Sequence, residues 1–490
     1  MNNLFLSKSG FYLLAIIIFL MTPALCLAEI TSPITHVTVL HTGDTHGYVL
    51  PFETEVGTSV GGAASRMAFV NEIKTANKEN GTNCHTLLLD AGDVLENHFV
   101  SNYYKGEADF KVMNMMKYDA MTLGNHEFGF GMDNFLKLEK MAKFPILSAN
   151  ILDRKTGNFL FKPYVIKECG SLKIAIFGLT SHTLLYNSEK ADLDRITILK
   201  PEEAYSRIYT EMKEKSDFII FLSHLGIEED REFAKKHPEI RLIAGSHSHT
   251  YMKEPEMAGG TMIIHTGKYG ECLGRVNLKF MGKKLYSING RVIFMPDQEM
   301  NKISKQLKNE IDPILNEKLG DCPDTIENTN KFEQQSPLFG FVLKNLKEYA
   351  QADMAMETAA SLGWRLKKGP VYVHDIYKMM PYNNFVVIIK MKGSEIKALM
   401  DFSVSKKTTN TYIQVSGITF DERGKKAENL KINGQPLEMD KLYKVATDNY
   451  MTAGGAEDGI LSKIEDGRKE FQHKLIRDII IDNIKNKKAF

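Results

Sequence analysis

The chain is poor in cysteine, in net charge and in long apolar runs, and each shortage closes off a class of protein. Its 490 residues hold five cysteines and no C-x-x-C pair, which argues against a zinc ribbon or a dithiol redox motif. Basic and acidic residues nearly cancel, 62 against 61, for a net charge of +1. There is therefore no electrostatic footprint for nucleic acid or a charged membrane surface. No internal repeat or low-complexity tract is present, which excludes a solenoid. The one long apolar run, FYLLAIIIFLM at 11–21, lies behind Lys8 and ahead of Pro23 and a small-residue site at Ala28. That pattern predicts an export signal over residues 1–28, cleaved before Glu29, with too short a core for a membrane span. Bulky Leu25 before Cys26 argues against lipidation. Nothing after it is long and apolar enough to cross a bilayer. Cys84, Cys169, Cys272 and Cys322 remain, and an exported chain could pair them in any of three ways. A chain of this size buries enough apolar surface to do without such bridges.

What the sequence does have is one design used five times: an apolar, strand-like run that stops at polar, metal-ligating residues. VTVLHTGDTHG ends in Asp44 and His46, TLLLDAGD in Asp93, AMTLGNHE in Asn125 and His126, FIIFLSH in His224, and LIAGSHSH in His247 and His249. In open α/β sheets such strand ends converge, so residues far apart in sequence can form one site. Carboxylate, amide and imidazole donors without thiolate point to Mn, Zn, Co or Fe rather than to Ca or Mg. So many donors exceed one tetrahedral ion. Two ions sharing a carboxylate, about 3.5–4 Å apart, use them and can clamp both oxygens of an in-line displacement. Two carboxylates against two dications leave surplus positive charge, which selects an anion such as phosphate. Ions of this kind also supply a water nucleophile near neutral pH, with no need of Ser or Cys.

DTHG, GGAASR, LLLDAGD, LGNHEFGFG, FLSHLG and AGSHSH, in this order and spacing, resemble the calcineurin-like metallophosphoesterases, specifically the secreted 5'-nucleotidase and UDP-sugar hydrolase family. The resemblance runs through most of the chain after residue 35. It implies that Asp44, His46 and His249 hold the first metal, that Asp93 bridges, and that Asn125, His224 and His247 hold the second. His126 would stabilise the transition state beside the scissile phosphate without binding metal. The family usually has an Asp three residues after that histidine; this chain has Gly129. An imidazole without a carboxylate partner has a less fixed tautomer.

Helix-like segments between the strands (SRMAFVNEIKTAN, DFKVMNMMK, MDNFLKLEKMAK) predict a layered α/β fold with parallel pairing. With the resemblance this becomes an α/β/β/α sandwich over 29–296. Met113, Met115 and Met116 read as helix packing, and His265 as a packed strand histidine. MIIHTG, RVNLKF and KLYSINGRVIFM read as consecutive strands completing a second sheet. A polar segment over 297–324, with Ile303, Leu307 and Ile311 at helical spacing, predicts an exposed connecting helix. Residues 325–490 then form a smaller α/β domain, with strands at VYVHDIY, NNFVVIIKMKG, TYIQVSGITF and LYKVATDNYM. SLGWRLKKG, MMPYNNFVVIIKMKG, YIQVSGI and YKVATDNYMTAGG resemble the family's nucleotide-binding domain. By that resemblance Arg365 contacts phosphate, Asn384 makes a polar contact, Tyr412 stacks on the base and Asp466 meets the ribose. The second aromatic of the base clamp is replaced by Ile460. The expected activity is an exported, two-metal phosphohydrolase acting on nucleoside 5'-monophosphates, with nucleotide sugars as a further substrate class. The alternatives are a phosphoesterase for cyclic nucleotides or sugar phosphates, and a non-catalytic ligand-binding protein on the same fold. Oligomeric state is open.

Overall fold

Strands that are apolar on both faces must be covered on both faces, and this decides the layering of the first domain. The computed structural model describes residues 34–489 except 54–57, 185–187, 189, 297–301 and 456–458, so the export signal lies outside the described residues. Twelve strands are used below: β1 (Ile34–Thr42), β2 (Cys84–Asp90), β3 (Ala120–Thr122), β4 (Ile146–Leu147), β5 (Tyr164–Cys169), β6 (Leu172–Thr180), β7 (Phe218–His224), β8 (Leu242–Gly245), β9 (Glu256–Ala258), β10 (Thr261–His265), β11 (Cys272–Met281) and β12 (Lys284–Phe294). They form two six-stranded sheets, in orders β12-β11-β1-β2-β3-β4 and β9-β10-β8-β7-β6-β5.

The sheets face one another. Val37, Val39, Leu87, Leu89, Ile174, Ile176, Ile220, Leu222 and Ala244 fill the space between them. Their neighbours one residue along point to the outer faces, as the period of two requires: Leu40 and Leu88 pack toward helices α1 (Gly62–Glu79), α2 (Glu107–Met116) and α3 (Met132–Met141). Phe177, Phe221 and Ile243 pack toward α4 (Pro201–Lys215) and α5 (Ile227–Lys236). The result is an α/β/β/α sandwich. β1, β2 and β3 are mutually parallel, as are β6, β7 and β8. Every strand that ends in a candidate ligand therefore ends at the same edge.

Three local expectations change. RVNLKF and KLYSINGRVIFM do not extend the second sheet; as β11 and β12 they join the first, β11 running antiparallel to β1 from Ile34↔Met281 to His41↔Gly274. The hairpin closes the free edge of β1 while Val276, Leu278 and Phe280 still enter the inter-sheet core. On α2, Met113 and Met116 are buried three residues apart, whereas Met115 is on the solvent face. VYVHDIY is a strand only at Gly369–Tyr372; Val373–Met379 is helical, started by a capping box in which Asp375 accepts from the Tyr372 N–H at 2.9 Å.

The polar connector is helical over Lys302–Leu315, and the helix runs through Pro313. Leu307 and Ile311 are buried rather than solvent-facing. The C-terminal domain has a five-stranded sheet in the order Ile413–Ser416, Met354–Thr358, Leu442–Asp448, Phe385–Lys392, Lys469–Leu475. Helices Pro337–Ala350 and Ile476–Lys485 cover one face and Gly393–Ser405 the other. One apolar cluster continues from the first domain into the second, where Phe99 meets Tyr377 edge to face at 4.7 Å. Among the described residues the four cysteines, Cys84, Cys169, Cys272 and Cys322, are unpaired. Among the described residues no helix is long and apolar enough to cross a membrane.

Under this sheet Glu357 faces Asp448, both fully buried. Burial first, then Asp448, raises Glu357 well above the usual carboxyl range, and burial lifts Asp448 to about 6. The folded pair thus holds a proton that the unfolded chain releases. The stability contribution is complete below about pH 4; the share of Asp448 is lost as pH rises through about 6, and that of Glu357, raised further, is lost as pH rises beyond it. Glu357→Gln should therefore lose less stability than the parent between pH 5 and pH 8, by on the order of 1 kcal/mol or a few degrees of Tm. Thermal melts at the two pH values check this.

Candidate metal centre

The ligand-bearing turns are strained, and the strain is held by a dense set of backbone hydrogen bonds. Asp44, His46, Asp93, His247 and His249 all have left-handed φ, between 46° and 78°. Such a conformation costs a residue with a Cβ about 1 kcal/mol or more. The β1 turn is tied to the β2 turn by Asp44 N–H to Gly92 O (2.9 Å), His46 N–H to Asp93 O (3.0 Å) and Gly47 N–H to Val94 O (2.8 Å). The β8 turn is tied to the β1 turn by the His247 N–H, which donates to the Asp44 carboxylate at 2.9 Å. The β2 and β3 turns are locked by buried Glu127, which accepts from the N–H groups of Asp93, Val94 and Gly124 at 3.1, 2.7 and 2.6 Å.

These turns bring all eight expected residues together. Asp44, His46 and His249 have ligand atoms within 4.8 Å of one another, and so do Asp93, His224 and His247. Asp93 stands between the two groups. Its Oδ2 is 3.1 Å from His224 Nε2 and 3.9 Å from His46 Nε2. Asn125 Oδ1 is 3.1 Å from His224 Nε2. His126 Nε2 lies 4.0 Å from Asp93 Oδ2, and its Nδ1 meets Glu96 Oε2 at 2.6 Å.

The donor states fit cations. His46 gives its Nδ1–H to Leu95 O at 3.2 Å, leaving the Nε2 lone pair facing His249 Nε2 at 3.0 Å. Burial pulls His46 well below its ordinary pKa, His249 to about 4 and His247 to about 3. Such rings offer lone pairs rather than charge, which is the form a metal takes. His224 gives Nδ1–H to Ala91 O at 2.7 Å, beside Ser246 Oγ, so its Nε2 points at Asp93 and Asn125. Burial opposes its protonation, but Asp93, with Asp44 and Glu127, outweighs burial and lifts it to about 10. A cation between these groups takes the place of that proton.

The expected substrate residues are more dispersed. Arg365 is exposed and pairs with Glu327 at 3.2 Å. Asn384 donates to Asp448. Tyr412 is 1% exposed, so in this arrangement its ring presents no open face to a base. Asp466 begins a short 3-10 turn, and Ile460 packs against the C-terminal core. His265 is buried with its Nε2 on Asp230 at 2.8 Å, a packing role. Two residues near the site were not singled out from sequence. Glu96 fills the position left by Gly129, and Asn383 reaches across from the second domain to Glu96 at 3.0 Å. The only linear hint was the missing Asp itself.

Two facing sheets whose parallel strand ends gather two Asp carboxylates, an amide and imidazoles at one edge, with Asp93 between the two clusters, define a dinuclear metallophosphoesterase. The calcineurin-like phosphoesterase family model matches residues 37–251 and the 5'-nucleotidase C-terminal domain model matches 317–462. The chain belongs to the calcineurin-like metallophosphoesterases that carry a 5'-nucleotidase C-terminal domain, and it is a metal-dependent phosphoester hydrolase. It is 28% identical over 477 residues to protein UshA of Yersinia enterocolitica, covering 86% of each chain. It is 27% identical over 475 residues to a 5'-nucleotidase of Vibrio vulnificus, covering 85% of each. The fold matches a 5'-nucleotidase precursor from Thermus thermophilus with TM-score 0.74 at 24% identity, over 93% of this chain and 97% of that one.

Gly92, at φ 91°, has no room for a side chain: a Cβ there would lie 2.7 Å from Gly124 N and 2.8 Å from His224 Nδ1. Gly92→Ala should push two ligand turns apart and weaken metal binding at least about ten-fold, the lower end for disturbing a ligand's support. Competition with a chelator, read by metal release, measures it.

Proposed function

We propose that the chain is an exported phosphohydrolase that removes phosphate from nucleoside 5'-monophosphates and also accepts nucleotide sugars. The reading is supported above all by the convergence of Asp44, His46, His249, Asp93, Asn125, His224 and His247 on one edge, with Asp93 central. In it, Asp44, His46 and His249 would hold one ion, Asn125, His224 and His247 the other, and Asp93 would serve both. The ions, when bound, supply Lewis-acidic charge and an activated water. The chain's own residues do the rest. His126 donates toward the leaving oxygen, with Nδ1 held by Glu96. Arg365, released from Glu327, offers a planar fork to phosphate. Asn384 and Asp466 meet the nucleoside, and Tyr412 stacks on a base once its ring is uncovered. The similarity to UshA and to a 5'-nucleotidase over nearly the whole chain supports the nucleotide assignment. The leader-like residues 1–28 support export. We assign the metal domain to 29–296, the connector to 297–324 and the nucleotide domain to 325–490.

A second reading changes only the substrate. Buried Tyr412 and aliphatic Ile460 weaken the base clamp, and each stacking platform is worth about 1–3 kcal/mol. A sugar phosphate, which has no base, does not need that clamp.

Purified protein loaded in turn with Mn, Co, Zn and Mg should hydrolyse AMP and UDP-glucose faster than 2',3'-cyclic AMP or an aryl phosphate. Asp93→Ala should abolish turnover and the two-ion stoichiometry together, and a chelator should abolish turnover in the parent. Activity on the aryl ester with none on AMP would end the 5'-nucleotide reading. Equal activity in parent and variant would return the chain to the binding-protein class.

A further inference from the structure

The HxxD pattern expected around His126 is broken at Gly129, yet the space is not empty. A Cβ built on Gly129 would fall 2.0 Å from Glu96 Cδ and 2.2 and 2.3 Å from its two carboxylate oxygens. The φ of Gly129 is outside the left-handed region, so no backbone demand explains the glycine. What demands it is the carboxylate of Glu96, arriving from the β2 turn into the volume that a side chain at 129 would fill. Glu96 is itself left-handed at φ 68°, its N–H accepted by Ser101 Oγ at 3.1 Å, and it is 5% exposed. Its two oxygens have different partners. Oε2 meets His126 Nδ1 at 2.6 Å; Oε1 accepts from Asn383 Nδ2 at 3.0 Å.

Asn383 belongs to the second domain, and it is held from behind. Its Oδ1 accepts from Arg477 Nη2 at 2.5 Å, and its Nδ2 also reaches Asn102 Oδ1 at 2.9 Å. Arg477 is buried, gives Nη1–H to Met380 O at 3.0 Å and lies over the Tyr377 ring at 4.0 Å. Tyr377 in turn packs on Phe99 of the first domain, three residues beyond Glu96. The chain of contacts Arg477, Asn383, Glu96, His126 is continuous, buried as far as the partly exposed His126 ring, and it crosses the domain boundary once, at the Asn383 to Glu96 hydrogen bond.

We propose that Glu96 is the positioning residue of His126, substituting for the carboxylate absent at 129, and that Asn383 couples its placement to the seating of the second domain. A carboxylate on the turn of His126 would orient the ring whatever the second domain did. A carboxylate on the β2 turn, with one oxygen bonded across the boundary, orients it fully only when Asn383 is in place. The consequence is an imidazole set for the leaving oxygen in the same arrangement that seats Asn383 on Glu96. This inference rests on the phosphohydrolase reading for its kinetic half alone.

The test is a transplanted carboxylate. Glu96→Ala should lower kcat about 10- to 100-fold on an aryl phosphate and on AMP, with KM little changed, the size expected for loss of a ligand-orienting partner. Gly129→Asp in that background removes the clash and restores the carboxylate from the other side, so the double variant should regain most of the rate. Asn383→Ala should slow the parent about ten-fold but leave the double variant unaffected, because its carboxylate no longer needs the second domain. A double variant no faster than Glu96→Ala, or one still slowed by Asn383→Ala, overturns the proposal. The low-field proton resonance of His126 Nδ1–H gives a readout independent of turnover. It should be present in the parent, lost in Glu96→Ala, regained in the double variant and shifted by Asn383→Ala. Should the parent hydrolyse neither ester, the function assigned above fails, while the resonance still decides this proposal: its persistence in Glu96→Ala overturns it.

Discussion

One buried carboxylate, Asp93, is the constraint around which the first domain is arranged. It sits at the end of a central parallel strand, and its oxygen is approached by imidazoles from three other turns. The His126 N–H donates to its other oxygen at 2.8 Å. A carboxylate so deep is tolerable only with compensating charge, and here burial, which would raise it, is outweighed by His224 and His126, which hold it well below the ordinary range. Two cations would do the same work more strongly. The order of the sheets follows from this need: β1, β2, β3, β7 and β8 must end together for their turns to share one centre.

That arrangement is not free of cost. Five ligand residues in left-handed backbone oppose folding by about 1 kcal/mol each at the low end, a sum comparable with the lower bound of a domain's net stability. The turns persist because their N–H groups are spent on one another and on Glu127 rather than on water. The two-sided apolar strands beneath them bury enough surface to carry the strain. The turns are thus set before any ion arrives, with the buried His46 ring placed 3.0 Å from His249 at the mouth of the site and His247 set against His224.

What could be read from sequence divides by the range of the interaction. The five strand ends were legible because a strand is local and its stop is marked by the residue types that follow. The helices at 62–79, 107–116 and 132–141 were legible for the same reason. β11 and β12 were assigned to the wrong sheet, since an antiparallel hairpin has the same apolar pattern on either edge and only the free side of β1 decides. At 373–379 a capping Asp375 turned an apparent strand into a helix. Tyr412 was read as a platform, but its burial depends on packing that one segment does not encode. The partner of His126 was invisible for a sharper reason. Glu96 lies 30 residues away, in an unusual backbone conformation, and becomes a partner only because Gly129 leaves the volume open.

That last pair changes how the missing Asp is to be understood. A gap in a motif reads, by itself, as a weakened site and invites a different substrate. Physically the motif residue mattered for one thing, an anionic oxygen on the far nitrogen of the imidazole, and Glu96 supplies it at 2.6 Å. On the proposal above, the carboxylate keeps its place against the ring while its point of attachment moves from the turn that carries the histidine to a turn that also faces the second domain. Gly129 therefore carries no weight for a changed substrate, and the case for one falls on the base-binding residues alone, where Ile460 stands without its aromatic and Tyr412 lies covered. Phosphoryl chemistry and base recognition are in this way separable in the molecule: the first is proposed for turns locked around Asp93, and the residues proposed for the second lie in the other domain, Tyr412 buried and Ile460 packed against its core.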